Sequence, residues 1–138
     1  MDASHVLIAG IVSGILANGT GYLITGRLFH HYQARTPATW RRSESWTQYL
    51  YSTLLRLLVC VGIAALYAVL AASPAHSWLR PGSGGILLGL CVWAVAVAPV
   101  IAEISLFVNW HAGFILGLLL DWLVVCVMAS VAAAFFAG

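Results

Sequence analysis

Residues 113–137 read GFILGLLLDWLVVCVMASVAAAFFA, a run whose only charge is Asp121. At about 1.5 Å per residue, a helix of roughly 20 apolar residues crosses a hydrocarbon core about 30 Å thick, so this run is long enough to span a membrane. Backbone polar groups in lipid must be satisfied within their own segment, and the run lacks the alternation of a barrel strand, so a helix is the form predicted. Working outward, three more windows of the same kind lie at about 6–26, 47–72 and 85–108. The four together predict an all-α integral membrane protein, a four-helix transmembrane bundle forming a single domain over residues 1–138.

Composition excludes the alternatives. The chain of 138 residues is 62% hydrophobic and 7% charged, whereas a water-soluble domain carries about a quarter charged residues. The opening MDASH has an acid and no basic residue before the apolar run, so the first window reads as a retained helix and not as an export signal. Cys60, Cys91 and Cys126 fall one in each of the last three helices, without metal or redox spacing, and are expected to be buried thiols packing as small apolar groups.

Arginine sets the expected orientation. Arg27, Arg35, Arg41 and Arg42 lie in the connection of about 27–46, and Arg80 stands alone on the other side, so the positive-inside tendency puts that connection in the cytoplasm and both termini outside. The location expected on this reading is the bacterial inner membrane. Tyr32, Trp40, Trp46, Tyr49 and Tyr51 flank the connection as interfacial rings, and Pro37 suggests a short interfacial helix within it.

With topology assigned, the charges can be compared by depth. Counted from the cytoplasmic helix ends, Arg56, Glu103 and Asp121 lie at roughly 13, 8 and 12 Å, and Asn18 of the first helix is level with them. An unpaired charge near the bilayer centre costs on the order of 3 kcal/mol, so Arg56 is expected to pair with Asp121, Glu103 or both. One cation against two carboxylates would favour protonating one acid, which makes a titratable site plausible; a saturated lock that only fixes helix packing is the competing reading.

Small residues mark the faces predicted to pack. Gly10, Gly14, Ala17 and Gly21 lie on one face of the first helix, and Ser52, Arg56 and Cys60 on one face of the second. Gly85, Gly89, Val92, Ala96, Pro99 and Glu103 form one seam of the third, and Gly113, Gly117 and Asp121 one stripe of the fourth. Pro99 should free a carbonyl one turn earlier and kink its helix. Asn109, His111, His30 and His31 make a polar cytoplasmic edge without metal-binding spacing, and His5 and His76 are expected to be solvated on the outer side. No catalytic nucleophile, phosphate loop, metal motif or nucleic-acid patch is present, and the sequence names no cofactor.

The layout resembles a known family. GGILLGLCVWAVAVAP (84–99), followed by LFVNWHAGFILGLLLDW (106–122), is similar to the small bacterial membrane proteins of the DUF1761 family, in which a G-x-x-x-G-x-x-x-W helix leads through an LF connection to a last helix with an early polar residue. GTGYLITGRLFHHYQ (19–33) resembles that family's pattern at the end of its first helix. The resemblance implies the four-helix fold and no activity. Three functions stay open: binding or transport of a small molecule or proton by a homo-oligomer in the lipid bilayer, an accessory or assembly subunit of a larger membrane complex, and a membrane-embedded enzyme acting on a lipidic substrate.

Overall fold

The computed structural model describes residues 1–36, 45–79 and 83–137. Asp2 caps the first helix: its carboxylate accepts from the His5 backbone N–H at 2.9 Å and from the Ser4 hydroxyl at 2.7 Å. These bonds hold the Asp2 carboxyl well below the usual carboxylate range, the backbone bond contributing most. Helix α1 (Ala3–Leu23) runs on through a π-helical turn (Ile24–Leu28) and breaks at Phe29. A single turn, α2 (His30–Gln33), follows. Helix α3 (Trp46–Ala71) starts on a Ser45 cap and ends before a 3₁₀ turn over Pro74–His76. Helix α4 (Ser83–Val92), a π-helical turn (Trp93–Val97) and α5 (Ala98–Phe107) form one rod, and α6 (Ala112–Ala137) closes the chain.

Four of these rods are long and apolar enough to cross a membrane: Ala3–Leu28, Trp46–Ala71, Ser83–Phe107 and Ala112–Ala137. Each begins and ends within three residues of its expected window. Large apolar side chains cover their outer faces, among them Leu58, Val69, Val95, Leu106 and Phe107, which suits contact with lipid and not with water. The protein is a multi-pass, all-α membrane protein. The expected helix around Pro37, together with Trp40, Arg41, Arg42 and Arg80, lies outside the described residues.

Helix α6 is the axis of the bundle, with α1, α3 and α4 all packed against it. Its buried side runs Phe114, Gly117, Asp121, Val125, Ala129 and Ala133, steps of three and four that keep one stripe facing inward. Ser13 and Ser130 are buried within the spans, and each hydroxyl donates to its own helix, to Ala9 O and Cys126 O at 2.7 and 2.9 Å.

Glycine sets how closely the rods approach. A Cβ on Gly10 would sit 2.6 Å from Val61 Cα, and one on Gly14 3.1 Å from Leu57 Cα, so α1 and α3 touch backbone to backbone. Gly85 and Gly89 do the same for α4 on α6, against Ser130 O at 2.8 Å and Val127 Cα at 2.6 Å. Gly113 and Gly117 serve another purpose, making room for the rings of Tyr32 and Phe29. Of the cysteines, Cys60 and Cys126 are buried as expected, but Cys91 is exposed, because it stands two residues past Gly89 and so on nearly the opposite side of α4.

The third rod departs from its expected seam. Gly85 and Gly89 are buried and Val92 is half-buried, but Ala96, Pro99 and Glu103 are exposed. Beyond Val92 the covered positions include Trp93, Val97, Ala98, Ile101 and Ser105, one or two residues later than the Val92, Ala96, Pro99 and Glu103 of the expected seam. The π-helical turn is the cause: it adds one residue to a turn and so shifts every later side chain by about 100°. Pro99 stands two residues after it and has no N–H to donate back along the rod.

Candidate functional site

Arg56 lies ten residues into α3, among Ser52, Thr53 and Cys60, in a helix that is otherwise apolar at that level. Its guanidinium reaches across the bundle to α6. Nη1 donates to Asp121 Oδ1 at 2.8 Å and Nη2 to Asp121 Oδ2 at 2.7 Å, a two-pronged ion pair in the geometry that suits a guanidinium and a carboxylate. Asp121 is fully buried, and the Arg56 side chain is 12% exposed. Nη1 also donates to the carbonyl of Ala17 on α1 at 3.0 Å, so one side chain ties three helices. Gly21 makes this possible, since a Cβ there would land on the guanidinium. The ring of Trp122 lies 5.4 Å from Arg56 Cζ and adds a cation–π contact.

Beside this pair the bundle opens. A cleft of about 500 Å³ lies between α1 and α3, lined by Asn18, Gly21, Thr25, Ser52, Thr53 and Arg56, with Tyr22, Gly26, His30 and Tyr49 completing its walls. Asn18 turns its amide nitrogen to Gly14 O at 2.8 Å, which leaves its carbonyl oxygen as an acceptor, and Thr25 donates to Gly21 O at 2.8 Å. A second recess of about 360 Å³, lined by Gln48, Tyr51, Ser52, Leu55 and Trp122, also has Arg56 in its wall. A guanidinium has five N–H donors, and three bonds to described residues are made. Two donors remain for whatever enters.

Of the four residues expected to share one polar layer, the structure brings Arg56 and Asp121 into contact and sets Asn18 in the wall of the cleft beside Arg56. Glu103 does not join them. It is exposed on α5, and no described residue pairs with it, because the extra residue of the π-helical turn rotates it off the covered face. The expected site of one cation against two carboxylates is therefore corrected to a neutral pair of one and one.

The polar edge near residues 27–46 is a stack of rings. Tyr32 lies over His111 with centroids 4.6 Å apart and planes 15° from parallel, the His31 ring is tilted against it at 3.9 Å, and Arg35 Cζ is 5.1 Å from its centroid. His111 Nδ1 accepts from the Gly113 backbone N–H at 3.0 Å, which starts α6. Asn109 is exposed and His30 faces the cleft. Among the described residues no three His, Cys, Asp or Glu side chains cluster in a way that could hold a metal. His5 is exposed and bonded to Asp2, while His76, at the end of the 3₁₀ turn, differs from expectation: it is half-buried, and its Nδ1 is buried with no hydrogen-bond partner among the described residues.

Thr25, Thr53, Tyr22 and Tyr49 were not singled out as site residues by the sequence reading. Hydroxyls inside apolar spans, between Arg56 and the helix ends nearest it, are the signal that could have drawn attention to them. The Ala17 carbonyl leaves no such signal, because its part depends on the contact between α1 and α3. No protein-family model, curated protein or solved structure matches the chain.

Proposed function

We propose that this is a protein of the bacterial inner membrane, with residues 27–46 on the cytoplasmic side, that binds a small anion such as a carboxylate or phosphate in the cleft beside Arg56 and moves it together with a proton. The shared layout with the DUF1761 family belongs to this proposal and adds no activity to it. The observation that carries the reading is the unspent donor capacity of Arg56 at the wall of a polar cleft between membrane spans.

Charge accounting supplies the mechanism. Arg56 and Asp121 together are neutral, and a low-dielectric site tolerates an excess charge poorly. A second anion at Arg56 would leave one negative charge over unless Asp121 takes up a proton and relaxes its hold. Anion and proton then enter as a neutral unit, with Ser52, Thr53 and Asn18 completing the anion's hydrogen bonds.

Inorganic phosphate and acetate, titrated onto the protein in lipid nanodiscs, test this directly. Affinity should rise up to about tenfold for each unit that pH falls, the limit for one proton taken up per anion. In Asp121→Asn the pH dependence of acetate binding, followed above the range in which acetate itself titrates, should vanish while binding persists, and in Arg56→Gln binding should be lost. If neither probe binds, or if Arg56→Gln binds as well as the native chain, the anion reading is wrong.

A further inference from the structure

Glu103 is the one acid within the described spans that this chain leaves without a partner. It sits on an exposed face of α5 with Pro99, Val100 and Leu106, and α5 packs mainly on α6, on its other side. A bare carboxylate on the outer face of a membrane span is strongly disfavoured, and acids in such places pair with a cation. The chain carries a matching cation on a different face. Arg27, in the π-helical turn of the first span, is exposed, and its guanidinium has only the Tyr22 ring, at 5.9 Å, among the described residues.

The two are level. Arg27 lies one residue from the end of its span and Glu103 four residues from the same end of the third, so their Cα atoms stand about 2 Å and about 6 Å in along their axes. That difference is within reach of an arginine side chain. The outer side of α1 is also open to close approach: Gly19 has nothing within 4 Å of where a Cβ would be, and Gly26 meets only the movable Tyr22 ring. These glycines, unlike Gly10, Gly14 and Gly21, serve no contact between helices of this chain.

We infer that Glu103 of one copy pairs with Arg27 of a second copy, the α5 face of each protomer seated against the outer side of α1 in the next. The two patches differ, so the contact is head-to-tail and closes as a ring when every copy uses both. The ring needs no ligand in the cleft, so it stands or falls separately from anion binding.

Mass measurement of the protein in nanodiscs and in mild detergent, with near-ultraviolet circular dichroism as a check on folding, decides the matter. Glu103→Gln and Arg27→Glu should each lower the assembled fraction about tenfold, and the exchange Glu103→Arg with Arg27→Glu should bring it back. In native membranes, Arg27→Cys with Glu103→Cys in a Cys91→Ser background should cross-link between chains, which needs no detergent-stable variant. A native chain that is monomeric in both media and gives no cross-link overturns the proposal. So do folded single variants that assemble normally, an exchange that fails to restore assembly, or a stoichiometric complex in which another protein covers Glu103.

Discussion

Arg56 and Asp121 are worth more to the fold together than either is alone. Taking a charged pair out of water is costly, and the pair is held because each partner cancels the other's charge and accepts or donates two hydrogen bonds. Arg56→Leu or Asp121→Leu should therefore each destabilise the bundle by about 3–5 kcal/mol, because each leaves a charge in the spans without its partner. The double replacement should cost far less than the sum, and could match the native chain. A double-mutant cycle of unfolding free energies in bicelles measures the difference, and additive losses would show that the two residues do not depend on each other. Depth counting along the sequence reached this pair because helical rise is regular and membrane spans are antiparallel, so residue number converts to height. It set Glu103 at a level but on the wrong face, because the seam that carried its direction assumed an unbroken α-helix through Trp93–Val97.

At the scale of the element, glycine and the π-helical turn divide the work. Where two backbones touch, a single methyl group has nowhere to go: Gly89→Ala and Gly10→Ala should lower the thermal midpoint, at a cost of about 1–3 kcal/mol from overpacking. Gly62→Ala is the control, since a Cβ there meets nothing within 4 Å, and its midpoint should not fall. Equal gains at all three positions would mean that helix propensity, which favours alanine over glycine, outweighs contact. The small-residue stripes at Gly10, Gly14, Gly85 and Gly89 were legible because close approach in lipid demands them. The π-helical turn over Trp93–Val97 was not, because WAVAV suits an α-turn equally well and only the following Pro99 hints at a disturbance. One hidden residue of phase was enough to move a carboxylate from the interior to the surface.

For the whole molecule, the proposed orientation makes a simple demand. A cysteine replacing Arg41 in the connection of 27–46 should react with an impermeant maleimide only after the membrane is opened, whereas a cysteine replacing Ser77 should react in intact cells from the outer side. The reverse pattern would invert the orientation, and with it the direction from which the cleft fills. The four-rod architecture was legible throughout because each span is long and nearly free of charge. The central place of α6 was not, because all four runs look equally apolar and nothing in a single run says how many neighbours it will have.

That central place has a consequence for how the chain is made. Arg56 and Asp121 are 65 residues apart, and at about 5–20 residues per second the ribosome needs roughly 3–13 s to go from one to the other. During that interval the first two spans are already emerging while the counter-ion of Arg56 has yet to be synthesised, and the spans that α6 will hold have no axis to gather on. The nascent protein must wait, with its arginine kept near the headgroups or sheltered by the insertion machinery, until the last helix arrives and draws it inward.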